Sequence, residues 1–138
     1  MTTTGKQFLD ALPGKGGVPT PSDKVKTTQT WKQIIAHERV YKQWLFVNTD
    51  YTYHIEYRDC DWFVAQYIAF MDRVSSELCI PSFAVAEVWY RPAASPNLHA
   101  VAVWLTPSGK LQWRETVPPC KGIRPTPQEQ RSVCFRRV

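Results

Sequence analysis

The chain has 138 residues, a formal net charge of +5, 43% hydrophobic residues and 13% aromatic residues. That length suits one domain with a sizeable core, and the aromatic content excludes a wholly disordered chain. No apolar run reaches the roughly 18 residues that a membrane-spanning helix needs. The opening Met1-Thr2-Thr3-Thr4-Gly5-Lys6 lacks the apolar stretch of a signal peptide, so the expectation is a cytoplasmic or virion location with no membrane partner.

The positive charge gathers at the two ends. Seven Lys and Arg (Lys6, Lys15, Lys24, Lys26, Lys32, Arg39, Lys42) face only Asp10, Asp23 and Glu38 before residue 44. After Cys120, five (Lys121, Arg124, Arg131, Arg136, Arg137) face Glu129 alone. Basic ends can meet nucleic acid or an acidic protein, although no recognition motif supports the nucleic-acid contact. The four cysteines at 60, 79, 120 and 134 form no Cys-x-x-Cys pair and have no paired His spacing. Zinc is therefore not expected, no cofactor is called for, and reduced thiols are the default. A Cys120–Cys134 bridge stays open.

Residues 1–27, rich in Thr, Gly, Pro and Lys, read as an extended or disordered arm. The apolar patch Phe8 to Leu12 is too short to build on. The core domain spans 28–117. Thr30 caps a helix from Trp31, with Ile34, Ile35, Val40, Tyr41, Trp44 and Leu45 as an apolar stripe; Leu45-Phe46-Val47 reads as already extended. Asn48-Thr49-Asp50 is turn-like, and Tyr51 to Tyr57 suits a loop or short strand. Cys60 to about Leu78 reads as a helix: it has no internal Gly or Pro, Asp59 can cap it, and Phe63, Tyr67, Phe70 and Val74 recur at helical spacing. Cys79, between Leu78 and Ile80, is expected in the core. Phe83 to Tyr90 is strand-like. His99 to Leu105 and Leu111 to Glu115 read as a hairpin. Trp104 and Trp113 are expected to pack, and His37 has no visible partner. Residues 118–138 read as a basic, Pro-rich tail.

The hairpin loop fixes a register. Pro107, Ser108 and Gly109 suit a three-residue connection in which Gly109 takes the left-handed conformation. Thr106 then faces Lys110 and Leu105 faces Leu111, Val103 faces Trp113, and Val101 faces Glu115. His99 and Glu115 become diagonal neighbours on one face, and a slip of one residue would separate them. Cys60, at a helix start, sits where unpaired N–H groups and the positive helix end favour a thiolate. A thiol, an imidazole and a carboxylate in this order are what a cysteine nucleophile needs: a base within reach of sulfur and a third group to orient the base. The candidate catalytic residues are Cys60, His99 and Glu115, with His54 and Tyr57 as oxyanion candidates.

These motifs resemble the transglutaminase-like branch of the papain-type cysteine peptidases, and most of all the bacterial transglutaminase-like cysteine proteinases, which bacteria and their phages encode. The matching residues are Asp59-Cys60-Asp61-Trp62-Phe63, His99-Ala100-Val101 and Glu115, covering about residues 57–117. Arg58 stands where that family prefers Gly, Trp62 where it prefers an acid, and Glu115 where it has Asp. The resemblance implies an α+β, papain-like core with the Cys at the start of a central helix packed on an antiparallel sheet. It implies acyl transfer through a thioester, acting on a protein or peptide substrate. The alternative is a non-catalytic structural or assembly module on the same fold, such as a phage virion component, with the basic arm contacting partner proteins or nucleic acid.

Overall fold

The computed structural model describes residues 1–17, 24–49 and 59–138. Three elements come from the N-terminal region: β1 (Thr2–Thr4), α1 (Gly5–Ala11) and β2 (Val25–Thr27). Two long helices follow, α2 (Trp31–Asn48) and α3 (Cys60–Glu77). Then come β3 (Val85–Tyr90), β4 (His99–Leu105), β5 (Leu111–Arg114), β6 (Gly122–Ile123), α4 (Pro127–Arg131) and β7 (Phe135–Arg137). The molecule is a mixed helix and antiparallel-sheet fold, its main sheet ordered β6-β5-β4-β3-β7.

The helices begin where their caps dictate. The Thr30 hydroxyl accepts from the Gln33 amide while the Gln33 side chain accepts from the Thr30 amide, a reciprocal cap that satisfies two otherwise orphaned donors. The Asp59 carboxylate caps α3 by accepting from the Trp62 amide. Leu45, Phe46 and Val47 stay helical to Asn48, so the chain does not turn extended there. The β4–β5 register is the expected one, with Leu105 opposite Leu111 and Val103 opposite Trp113, and Gly109 has φ +83°.

β4 is apolar on both faces. Ala100, Ala102 and Trp104 join a cluster with Ile34, Tyr41, Leu45, Phe63 and Tyr67 from α2 and α3. Val101, Val103 and Leu105 join a second cluster with Phe8, Leu12, Trp113 and Val133. This second cluster corrects the reading of residues 1–27 as an arm. Phe8 is wholly buried, α1 is capped by Thr4 and Gln7, and β1 pairs with β2. A strand with apolar side chains on both faces must be covered twice, and the N-terminal segment supplies the second cover. The tail is likewise structural: β7 pairs with β3 and β6 with β5. Gly16 and Gly17 pass so close to it that a Cβ on either would collide with the Cys134 or Arg136 carbonyl.

Two smaller expectations also change. Cys79 is exposed, not core. It follows α3 with φ +57°, and its amide and that of Ile80 close the helix end onto Ser76 and Ser75 carbonyls, which turns its side chain away from the interior. His37 has a partner: its Nε2 lies 2.7 Å from Gln29 Oε1, and its ring stacks 4.9 Å from Phe83. Cys120 and Cys134 are both free thiols, so no bridge joins them. Trp104 and Trp113 are buried packing residues.

One polar network crosses the first core. Arg114 Nε donates to Glu38 Oε2 at 2.8 Å and its Nη2 to Glu38 Oε1 at 2.5 Å. Tyr67 donates to the same carboxylate at 2.7 Å, Trp104 Nε1 donates to Tyr67 at 2.8 Å, and Arg114 reaches the Cys120 carbonyl at 3.1 Å. Both ion-pair side chains are 3% exposed. Removing one member of such a pair strands the other charge, at a cost of about 3–5 kcal/mol, whereas an apolar replacement of both is far milder. Urea unfolding of Glu38→Ala, Arg114→Ala and the Glu38→Leu/Arg114→Met double variant tests this. The singles are expected to lose about that much and the double clearly less; a double loss equal to the sum of the singles would show that the two residues do not act as a pair.

Candidate functional site

Cys60 is the first residue of α3, His99 the first of β4, and Glu115 follows β5 directly. Strand alternation explains the split at the end of β5. Arg114 points to Glu38 in the helix-covered core, so Glu115 leaves the strand with its carboxylate free for His99. The Glu115 amide donates to the Lys121 carbonyl at 2.8 Å, which continues the β5–β6 pairing by one bond and steadies the residue.

His99 Nε2 donates to Glu115 Oε2 at 2.6 Å. The other carboxylate oxygen of Glu115 accepts from the Thr116 and Val117 amides at 3.0 and 3.2 Å. The carboxylate is thus held from the backbone on one side and by the ring on the other. The Cys60 thiol acts electrostatically on the same ring. Its neighbour across the strand pair, Tyr90, meets the imidazole edge-on at 6.1 Å between ring centres.

Electrostatics follow the geometry. The His99 pKa is raised to about 10, first by the Cys60 thiol, then by the hydrogen bond with Glu115; burial opposes both, and the charges of the two partners add to the rise. Burial pushes Glu115 upward, but the hydrogen bond and charge of His99, with the Val117 and Thr116 amides, outweigh it and leave its pKa below the usual carboxylate range. Asp59 and Asp61 share a side-chain hydrogen bond that lowers Asp59 and raises Asp61.

Of the three expected residues, His99 and Glu115 meet through that hydrogen bond, and the Cys60 thiol acts on the same ring; an imidazole near a thiol and a carboxylate can draw a proton from sulfur and steady the charge so formed. His54 and Tyr57, the oxyanion candidates, lie outside the described residues, as does the Tyr51–Tyr57 segment. No group of three or more His, Cys, Asp or Glu among the described residues could hold a metal ion. Sequence reasoning missed Glu38 and Arg114, which fix the strand end carrying Glu115. A signal existed: Glu38 falls four residues after Ile34 and three before Tyr41, inside the apolar stripe of α2, where an acid needs a buried partner.

No family model and no curated protein matches the chain. Solved structures do. One, a PSL1a–E64 complex, superposes with a TM-score of 0.68 at 14% identity, over 98% of this chain and 50% of the other. Another, the Polyporus squamosus lectin bound to the human-type influenza-binding epitope Neu5Aca2-6Galb1-4GlcNAc, superposes with a TM-score of 0.65 at 12% identity, over 98% of this chain and 49% of the other. The chain spans about half the length of these structures. They correct the expectation of a cysteine acyl-transfer enzyme, and with it the peptidase and hydrolase readings: these two structures of the same fold are lectin structures, one of them holding a glycan. The physical reason is that a fold and a row of three side chains set a reactivity, not a biological role. None of the described helices is long and apolar enough to cross a membrane.

The row of hydrogen bonds has a measurable titration. His99 NMR shifts are expected to titrate near pH 10 in the native protein, and to move down toward the ordinary value of about 6.5 in Glu115→Gln and in Cys60→Ala. A His whose folded pKa is raised contributes stability that is complete below the unfolded pKa of about 6.5 and is lost as pH rises through the folded value near 10. Stability should therefore fall between those pH values, with a shallower slope in His99→Asn. A native His99 titrating near 6.5 would contradict the assignment.

Proposed function

We propose that this chain is a glycan-binding module of a lectin-type protein. The supporting observation is its likeness, along almost its whole length, to lectin structures of which one holds Neu5Aca2-6Galb1-4GlcNAc. Glycans are the ligand class that likeness suggests. Isothermal titration with that trisaccharide is expected to give saturable binding; absence of heat or of saturation with sialylated and neutral glycans alike would overturn the reading.

A second ligand site on the same chain is supported by the His99–Glu115 hydrogen bond and by the action of the Cys60 thiol on the same ring. We assign Cys60 as the residue that meets the ligand, His99 as its proton partner and Glu115 as a positioning residue. A thiol at the head of α3 against an imidazole and a carboxylate carried by the sheet is also what supports a papain-like arrangement of this core. One neighbour is titled as a complex with E64, which makes E64 the probe of choice. Binding of E64 is expected for the native chain, to be lost in Cys60→Ala and weakened in Glu115→Gln. Equal binding by all three would remove the thiol from the site.

A further inference from the structure

The geometry points to the cleft between Trp31 and the β5–β6 edge as the place where a glycan bearing a carboxylate binds; this rests on the glycan-binding reading and adds a location and a chemical preference to it. The cleft, about 600 Å³, is lined by Trp31, Gln112, Trp113, Gly122, Ile123 and Arg124. None of Cys60, His99 and Glu115 lines it.

Each wall supplies a group that sugar recognition needs. Trp31 is 46% exposed, an uncommon position for so large an apolar ring. The C–H face of a pyranose is apolar and flat enough to pack on such a ring, while its hydroxyls must keep hydrogen-bond partners. The ring is not loose. The Arg114 guanidinium lies over it, 4.8 Å from the ring centre, and Arg114 is itself clamped by both oxygens of Glu38. Trp31 also opens α2 directly after the Thr30 cap. A platform fixed from behind loses little freedom when a ligand arrives.

The polar groups come from the strand edge. Trp113 pairs with Ile123 and Arg114 with Gly122, so Gln112 and Arg124 follow at the same end of the ladder and both line the cleft. Among the described residues neither side chain makes a hydrogen bond or an ion pair. A planar amide gives both donors and an acceptor for hydroxyls, and a free guanidinium offers the fork that matches a carboxylate. Gly122 keeps the floor open: a Cβ there would stand 3.1 Å from Arg114 Nη1, so a larger residue would press on the group that holds Trp31. The ligand these walls describe is a pyranose stacked on Trp31, with hydroxyls at Gln112 and a carboxylate at Arg124.

The test uses Neu5Aca2-6Galb1-4GlcNAc and its neutral part Galb1-4GlcNAc, titrated into the native chain, Arg124→Gln, Trp31→Phe and Trp31→Ala, with circular dichroism confirming that each is folded. Native protein is expected to prefer the sialylated ligand. Arg124→Gln should weaken it about tenfold or more, the size of one lost charge-assisted contact, without changing the neutral disaccharide. Trp31→Ala should abolish binding of both and Trp31→Phe should retain part of it; the Phe variant and the surface Arg124→Gln keep the test valid should Trp31→Ala fail to fold. Glycan binding that ignores Arg124→Gln and Trp31→Phe overturns this cleft while leaving the glycan reading intact. No binding by the native chain overturns both.

Discussion

The ion pair between Glu38 and Arg114 is the constraint on which the rest depends. It lies inside the apolar layer formed by α2, α3 and the sheet, where an unpartnered charge is not tolerated. Arg114 uses two nitrogens on Glu38 and one of them also on the Cys120 carbonyl. Tyr67 and Trp104 complete the carboxylate's surroundings. The network thus ties both long helices, two strands and the turn after β5 into one arrangement. Satisfied polar networks of this kind specify one geometry more than they add stability.

Two surfaces of the molecule inherit that geometry. Because adjacent residues of an extended chain point to opposite sides, fixing Arg114 inward fixes Glu115 outward, and the Thr116 and Val117 amides then aim its carboxylate at His99. On the other side of the same guanidinium, Trp31 is held as an open platform. The row carrying His99 and Glu115 and an aromatic cleft are thereby supported by one buried residue. The raised His99 pKa belongs to this row; it reports a ring stabilised in its charged form by partners on both sides.

Much of this was legible in the sequence, for local reasons. Thr30 with Gln33 and Asp59 before Cys60 mark helix starts through caps that operate within a few residues. The Pro107-Ser108-Gly109 turn sets the β4–β5 register, and the register alone makes His99 and Glu115 neighbours. What was not legible depends on distant partners. Phe8 and Leu12 look isolated until β4 is seen to need cover on a second face. The polar, Pro-rich tail hides a strand because β7 is defined by pairing with β3 and not by its own pattern. Cys79 is apolar by type yet exposed, since the helix closure onto Ser75 and Ser76 decides its direction. The functional reading was the least legible part: the motif around Cys60 suggested acyl transfer, whereas two solved structures of the same fold are lectin structures.

The coupling between the buried pair and the surface row is open to one direct measurement, the NMR titration of His99 in the Glu38→Leu/Arg114→Met variant. This replacement makes that part of the core apolar and is expected to leave the chain folded while releasing the end of β5. If the buried pair positions Glu115, the His99 pKa falls from near 10 toward the ordinary value of about 6.5, although no residue touching His99 has been changed. A His99 titration identical to that of the native protein would contradict the dependence of the site on this pair.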